Sequence, residues 1–296
     1  MIHKSGFVNI IGSPNVGKST LINSLVGKKL SIVTHKPQTT RHRILGFINK
    51  SNLQIIFSDT PGIISPVYTM QKIMMRDVKK SLEDADIILL LTEVGKFEDV
   101  SIFNYIKKIK NKDVPIIILI NKIDQIKTQS RVDTLYDTMN YWHRSFPHLE
   151  ILPISALKKM NQDLLMNKII SLLSEHPAYY PKDYLSNKPE YFFVNEIIRE
   201  KIFFLYKKEI PYSVEIQTKF FKKQNAFIHI LSYLYVERDS QKGILIGERG
   251  SVIQKLKLIS TNSIELFFKK KIKLIFYVKV CKNWRHDYKK LKYFGY

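Results

Sequence analysis

Residues 12–20 read GSPNVGKST, and this stretch decides the fold of the first half of the chain. It has the spacing G-x-x-x-x-G-K-S and follows an apolar run, Phe7 to Ile11, that predicts a buried strand. The residues after it, 21–26, predict the start of a helix. In such a strand–loop–helix unit the glycines let backbone N–H groups surround a polyphosphate, and the helix dipole favours its charge. The motif therefore predicts a nucleoside triphosphate site, and a plain Gly-rich turn is the alternative.

All nine residues of this stretch are candidate nucleotide ligands: Gly12, Ser13, Pro14, Asn15, Val16, Gly17, Lys18, Ser19 and Thr20. We expect Lys18 to reach the β- and γ-phosphates and the Ser19 hydroxyl to bind Mg²⁺.

Two later segments can sense the γ-phosphate. A polar loop over residues 31–47 contains Thr39 and Thr40, and a threonine hydroxyl in such a loop can complete the Mg²⁺ shell. Both qualify, and we favour Thr40. A short apolar strand, Leu53 to Phe57, is followed by Asp59, Thr60, Pro61 and Gly62. We expect Asp59 to hold Mg²⁺ through water and the Gly62 N–H to approach the γ-phosphate.

Residues 121–124, NKID, predict which base the nucleotide carries. They stand at the end of a very apolar strand, Val114 to Ile120. Guanine presents two neighbouring donors that one carboxylate, Asp124, can accept, and adenine lacks that pair. Asn121 would brace the loop, Lys122 would lie along the base, and a backbone N–H at Ser155 or Ala156 would reach guanine O6. The alternative is a polar turn.

Apolar runs alternate with amphipathic stretches through the first half, including a lysine-rich helix near Val100 to Lys110. This alternation predicts a mostly parallel sheet with helices on both faces. For hydrolysis of the nucleoside triphosphate, the candidate catalytic residues are Lys18, Thr40 and Gly62. No side chain in the sequence is an evident candidate for positioning the attacking water.

Composition predicts a cytoplasmic protein and leaves the role of its basic charge open. The 296 residues suggest two domains, and a single cysteine excludes disulfides within the chain. No apolar run has the roughly 18 residues of a membrane span. The net charge is +22, and residues 176–296 hold 24 basic and 11 acidic residues against 24 and 15 in residues 1–175. Nucleic acid, an anionic membrane surface or a merely solvated basic face all fit this distribution.

The second half has its own pattern after a proline-containing segment. We expect domains over residues 1–176 and 191–296, joined by a linker at 177–190. A helix is predicted over Phe192 to Tyr206, and strands over Tyr212 to Thr218, Ala226 to Val236 and Lys271 to Val280.

A G-x-x-G turn, Gly247-Glu248-Arg249-Gly250, stands between two helical stretches. In a basic domain with strands on both sides it predicts an RNA-binding loop of the KH type, with Lys255 beside it, and a simple turn is the alternative. Glu248 is an acid where phosphate would pass, and Arg249 can offset it. The tail after Trp284 mixes aromatic and basic residues, which suits either stacking on single-stranded RNA or covering the core.

These motifs carry a resemblance to a known family. GSPNVGKS, QTTR, DTPG, NKID and ISA occur in the order and spacing of translation-factor-like GTPases. In the second half, residues 196–216, 243–256 and 278–296 are similar to the RNA-binding domain of the Era family, in the TrmE-Era-EngA group. The resemblance implies a P-loop GTPase domain, α/β, followed by a smaller α+β KH-type domain.

The same resemblance implies the function. It predicts a GTP-hydrolysing switch with GTP or GDP and Mg²⁺ as cofactors, binding the 3′ end of 16S ribosomal RNA and assisting maturation of the 30S subunit. It adds K⁺ at Asn15, a monomeric state and peripheral association with the inner membrane. The apolar Ile63 after DTPG predicts slow intrinsic hydrolysis, because it cannot orient water. The alternative is a membrane-surface GTPase whose basic domain binds anionic lipid.

Overall fold

The computed structural model describes residues 3–97, 102–103 and 114–296. The chain forms two compact units, Met1–Ser65 with Met74–Asn187, and Pro66–Ile73 with Lys188–Tyr296. The predicted linker, residues 177–190, falls mostly in the first unit, where the Phe47 N–H donates to the Leu185 carbonyl (3.1 Å). The predicted domain boundaries themselves stay predictions.

The first unit is built on a six-stranded sheet in the order β2-β3-β1-β4-β5-β6. Its strands are β1 (Lys4–Ile11), β2 (Ile44–Lys50), β3 (Leu53–Asp59), β4 (Ile87–Glu93), β5 (Ile116–Asn121) and β6 (Glu150–Pro153). β2 runs antiparallel to β3, and every other neighbouring pair is parallel. The prediction of a mostly parallel sheet is confirmed. Every residue of β3 is buried, as expected for a strand covered on both faces.

Helices cover both faces of this sheet. They are α1 (Lys18–Val26), α2 (Thr69–Glu83), α3 (Gln129–Ser145) and α4 (Gln162–Leu172). Leu21 of α1 and Leu165 of α4 belong to one buried cluster, whereas Trp142 of α3 belongs to another. The predicted helix near Val100 to Lys110 lies outside the described residues except for Ile102 and Phe103, which are helical and buried in the cluster of Trp142.

The second unit is an α+β structure with the sheet order β7-β8-β9. Its elements are α5 (Glu190–Leu205), α6 (Ile210–Ser213), β7 (Glu215–Lys223), β8 (Phe227–Val236), α7 (Asp239–Ile246), α8 (Ser251–Phe268), β9 (Lys271–Val280) and α9 (Tyr288–Phe294). β8 pairs antiparallel with β7 and parallel with β9. Among residues 3–97, 102–103 and 114–296, no helix is both long and apolar enough to cross a bilayer.

The predicted strand Tyr212 to Thr218 is wrong at its start. Residues 210–213 form the short helix α6, with Pro211 in its first turn, and the strand begins at Glu215. Proline is favoured at a helix start because its missing N–H is not needed there. The buried Trp284 indole also donates to the Ser213 carbonyl (2.9 Å), a contact between positions 71 residues apart that no local pattern reveals.

A short segment before and at the start of α2 belongs to the second unit. Within that unit the Met70 N–H donates to the Arg285 carbonyl and the Thr69 hydroxyl to the His286 carbonyl, both at 3.0 Å. The Arg285 guanidinium also lies 5.3 Å from the centre of the Tyr68 ring.

A charged cluster is buried inside the second unit. Arg199 of α5 donates to Glu196 (2.9 Å) and, through both terminal nitrogens, to the two carboxylate oxygens of Glu215 (2.8 and 3.2 Å). Burial opposes the charged guanidinium, but Glu215 and Glu196 hold the pKa of Arg199 well above its usual value. The Tyr296 hydroxyl donates to Glu215 (2.7 Å), so the C-terminal residue is tied to the same cluster.

We expect Arg199→Leu to lower the free energy of unfolding of the second unit by about 3–5 kcal/mol, because it strands two buried carboxylates. Lys223→Leu is the matched control, since its ion pair with Glu190 is half exposed and should cost less than about 1 kcal/mol. Urea unfolding would be followed by Trp284 fluorescence in a Trp142→Phe background. Equal losses of unfolding free energy in the two variants would contradict the stabilising role of the buried cluster.

Candidate functional site

Two glycines allow the loop between β1 and α1 to follow a tight backbone path. Gly12 and Gly17 have φ values of 150° and 104°, which residues other than glycine rarely adopt. A Cβ on Gly17 would lie 2.3 Å from the Asn121 Nδ2 atom, and one on Gly12 would lie 2.1 Å from the Leu91 carbonyl oxygen. The Lys18 ammonium donates to the carbonyls of Gly12 (3.0 Å) and Ser13 (2.8 Å), so it lies across the loop.

Three oxygen-bearing side chains meet at the start of α1. The Ser19 hydroxyl donates to Asp59 Oδ2 (2.9 Å) and lies 3.1 Å from the Thr40 hydroxyl. Asp59 is fully buried, and its Oδ1 atom has no hydrogen-bond partner among the described residues. Burial raises the pKa of Asp59, against the lowering effect of the nearby Ser31 and Ser19 hydroxyls and the Lys18 charge. An all-oxygen donor set with one unused carboxylate oxygen fits Mg²⁺, which prefers oxygen ligands.

The two candidate threonines are in different positions. The Thr39 hydroxyl is engaged within its own loop, at 2.6 Å from the Thr34 hydroxyl and 2.8 Å from the Lys36 carbonyl. Thr40 is therefore the one that faces Ser19.

The NKID loop is braced by its first residue. The Asn121 amide donates to the Val16 carbonyl (2.8 Å) and accepts from the Ala156 N–H (2.9 Å), which joins the phosphate loop to the loop after β6. The Ser155 hydroxyl donates to Asp124 (2.6 Å) and orients its carboxylate. Lys122, at φ 67°, forms an ion pair with Glu93 at the end of β4.

These loops enclose a cavity of about 470 Å³. The predicted residues that line it are Pro14, Asn15, Gly17, Lys18, Ser19, Thr20, Thr39, Thr40, Gly62, Asn121, Lys122, Asp124 and Ala156. The other predicted residues lie behind the lining: Gly12, Ser13, Val16, Asp59, Thr60, Pro61 and Ser155. Gly62 closes against the phosphate loop, because a Cβ there would lie 3.0 Å from Pro14 Cγ.

Sequence reasoning missed part of the lining. Residues 32–35 and Gln38, all from the polar loop, face the cavity, together with Gln125 and Leu157. The Asn15 amide donates to the His35 carbonyl (3.0 Å) and fixes this loop beside the phosphate loop. The polarity of the loop was the available signal, but it did not indicate which side chains turn inward.

The G-x-x-G turn joins α7 to α8 in the second unit. Gly247 and Gly250 have φ values of 75° and 77°, and a Cβ on Gly247 would lie 2.3 Å from Val252 Cγ2. Gly247 is therefore needed for both conformation and space, and Gly250 for conformation. Glu248, Arg249 and Lys255 are exposed around it, which leaves one acid and two bases facing solvent.

The aromatic tail divides into covered and open residues. Trp284 and Leu291 are fully buried, so the tail covers the core of the second unit. Tyr288 and Tyr293 are more than half exposed, and the Lys219 ammonium lies 4.4 Å from the centre of the Tyr293 ring.

Comparison with known proteins agrees with this architecture. A family model described as a 50S ribosome-binding GTPase matches residues 7–122, and a KH-domain model matches residues 209–285. The GTPase Era of Syntrophus aciditrophicus is 40% identical over 298 residues, covering 100% of this chain and 96% of that protein. The chain belongs to the Era family of GTPases. It binds guanine nucleotides and hydrolyses GTP, and its second domain is a KH domain.

Other members of the Era family are as similar. A chloroplast GTPase, ERA1, from Zea mays is 42% identical over 99% of this chain and 71% of its own length. A crystal structure of Era in complex with MgGDPNP and nucleotides 1506–1542 of 16S ribosomal RNA superposes with a TM-score of 0.91. It is 36% identical and covers 99% of both chains.

We expect Asp124→Asn to weaken GTP binding by about 10- to 100-fold, because an amide cannot accept both guanine donors. The same variant should gain affinity for xanthosine triphosphate, which presents one donor and one carbonyl oxygen at that edge. Ser155→Ala is the control: it removes a hydrogen bond to Asp124 but keeps the carboxylate, so guanine preference should persist. Titration of the unmodified chain and both variants with fluorescent analogues of GTP and xanthosine triphosphate measures these affinities. Unchanged GTP affinity in Asp124→Asn would refute the role of Asp124.

Proposed function

We propose that this chain is a GTP-controlled switch that binds the 3′ end of 16S ribosomal RNA and assists maturation of the 30S subunit. The observation that supports this most strongly is the likeness of the whole chain to an Era protein crystallised with that RNA and MgGDPNP. The exposed G-x-x-G turn in a basic KH domain supports it independently. We also propose that the domains span residues 1–176 and 191–296.

The residues of the first unit take the following roles in this proposal. The N–H groups of residues 12–20 and the Lys18 ammonium bind the phosphates, for which Lys18 leaves the Gly12 and Ser13 carbonyls. Ser19, Thr40 and, through water, Asp59 hold Mg²⁺, which when bound neutralises charge on the β- and γ-phosphates. Thr40 and the Gly62 N–H report the γ-phosphate, because each belongs to a loop that can move when this group is lost.

Guanine is held by the carboxylate of Asp124 and by the N–H of Ala156, which would share its hydrogen between guanine O6 and the Asn121 amide oxygen (2.9 Å). Asn121 braces both loops, and Lys122 lies along the base once nucleotide enters. Thr60 and Pro61 are buried and fix the approach of Gly62: the Thr60 hydroxyl donates to the Ile10 carbonyl (3.2 Å).

We further propose a cytoplasmic location and K⁺ as a second ion beside Asn15. Peripheral binding to an anionic membrane is the second candidate function, on the ground of the basic second half. The G-x-x-G turn favours RNA, because a lipid surface has no use for a loop that clamps a nucleic-acid backbone.

The first experiment measures binding of a single-stranded RNA matching the 3′ end of 16S ribosomal RNA, with GTP analogue and with GDP, across a salt series. Tighter binding with the GTP analogue, retained at physiological salt, is the expected result. Equal binding in both nucleotide states that disappears with salt would leave only non-specific affinity and defeat the proposal.

Two substitutions in the turn sharpen this test. Glu248→Lys should tighten RNA binding, because it removes an acid from the path of the phosphates, whereas Arg249→Asp should weaken it. Asp tolerates the left-handed backbone at position 249 (φ 48°), so the turn should keep its shape. Binding to vesicles with phosphatidylserine serves as the comparison, and a shift in lipid but not RNA affinity would favour the membrane role.

The proposed role of Thr40 at Mg²⁺ is tested by nucleotide affinity. Thr40→Ala should weaken binding of the GTP analogue by about tenfold and leave GDP affinity unchanged, since only the GTP state uses this hydroxyl. Thr39→Ala is the matched control and should behave like the unmodified chain. Removal of Mg²⁺ with EDTA should abolish the difference between Thr40→Ala and the unmodified chain.

Hydrolysis rates in KCl and NaCl test K⁺ in the same preparation. A faster rate in KCl that Asn15→Ala abolishes is expected, and identical rates in the two salts would exclude a role for K⁺.

A further inference from the structure

The sheet of the second unit has two chemically different faces. Ile228, Ile230 and Leu234 of β8 and Ile272 and Leu274 of β9 point into the buried core. Because side chains alternate along a strand, the residues between them point to the opposite face. The C-terminal helix α9 covers one end of that opposite face, where Phe294 contacts Tyr235 with ring centres 4.9 Å apart.

The remainder is called here the open sheet face. It consists of Lys219, Phe220, Lys222, Phe227, His229, Leu231, Tyr233, Lys271, Lys273, Ile275, Tyr277 and Lys279. It holds five lysines and no acidic residue. Phe220, Ile275 and Tyr277 are each about half exposed, so large side chains lie in solvent among the charges.

Rings and cations occupy the same area of this face. Tyr233 and Tyr277 are paired in register on adjacent strands, with ring centres 5.7 Å apart and planes at 83°. The Lys279 ammonium lies 4.1 Å from the centre of the Tyr233 ring, and the Lys273 ammonium lies 4.8 Å from that of Phe227. A lysine in this position can turn to a phosphate when a base takes its place on the ring.

This combination selects one class of partner. The core of a protein interface is depleted in lysine, and a membrane-binding surface places its apolar residues together beyond a separate basic rim. Single-stranded RNA uses both groups at once, because each nucleotide brings a flat base to stack and a phosphate to neutralise. Open sheets with exposed aromatic residues are a known platform for stacking two or three bases.

We propose that the open sheet face binds single-stranded RNA, as a second site on the same strand that the G-x-x-G turn clamps. Tyr233 and Tyr277 stack on bases, and Lys273 and Lys279 neutralise phosphates. The inference rests on the proposed RNA-binding function and adds a second contact region to it. It requires that the footprint exceed the roughly four nucleotides that a KH loop clamps.

The test uses the full chain and two RNAs from the 16S 3′ end, one of about four nucleotides and one of about 12. Tyr233→Ala/Tyr277→Ala should weaken binding of the longer RNA by about 10- to 100-fold and leave the shorter RNA unchanged. Tyr233→Phe/Tyr277→Phe retains the rings and should bind both RNAs like the unmodified chain. Arg249→Asp should weaken both RNAs, since it alters the G-x-x-G turn.

The lysines are tested by the salt dependence of the longer RNA. Lys273→Ala/Lys279→Ala should reduce the slope of log K against log salt by about 1.4, which corresponds to two lost phosphate contacts on a single strand. Lys207→Ala/Lys208→Ala removes the same charge from the exposed loop after α5 and should leave the slope unchanged.

The outcomes separate this inference from the proposed function. If the unmodified chain binds both RNAs and the alanine variants do so equally well, the open sheet face is not a second site and the proposed function stands. If the unmodified chain binds neither RNA, both fail. Loss of binding to phosphatidylserine vesicles in the alanine variants, with RNA binding intact, would assign the face to lipid and overturn the inference.

Discussion

The first unit depends on one steric constraint, the close approach of Asn121 to Gly17. The amide of Asn121 occupies the space that a Cβ on Gly17 would fill, and from there it reaches Val16 on one side and Ala156 on the other. Phosphate loop, base loop and the loop after β6 are thereby fixed by one buried side chain. Gly17, the second glycine of the G-x-x-x-x-G-K motif, is thus needed for packing as well as for its backbone angles.

The asymmetry between fixed and movable parts follows from the same arrangement. The loops that carry Asn121 and Ala156 are joined by buried hydrogen bonds, whose loss would leave unpaired polar groups. The Thr40 hydroxyl instead contacts Ser19 through one hydroxyl–hydroxyl interaction at the border of the cavity. In the proposed switch, the loops assigned to guanine are held by buried hydrogen bonds, whereas the Thr40 loop responds to loss of the γ-phosphate, and only this second part must move on hydrolysis.

Features set by local sequence were predictable, and those set by distant contacts were not. The phosphate loop, the strands before DTPG and NKID, and the glycine turn at residues 247–250 each follow from spacing and periodicity within about ten residues. The start of β7 was missed although Pro211 is a local signal for a helix start, and the hydrogen bond from Trp284 to Ser213 that accompanies this helix comes from 71 residues away. The inward positions of Ile32 and His35, and the pairing of Lys122 with Glu93, likewise depend on segments far apart in sequence.

The second unit shows how a strongly basic domain can place acids where they help. Two of its carboxylates, Glu196 and Glu215, are consumed in the buried cluster around Arg199, and Glu237 pairs with Arg285. These acids stabilise the interior and leave the open sheet face to lysine and aromatic residues. Glu248 differs from these three acids, because it stands exposed in the turn that phosphates would pass. With the phosphate contacts proposed for the open sheet face, lysines elsewhere on the domain offset part of the cost of this acid, so the chain can bind RNA while the turn retains glutamate.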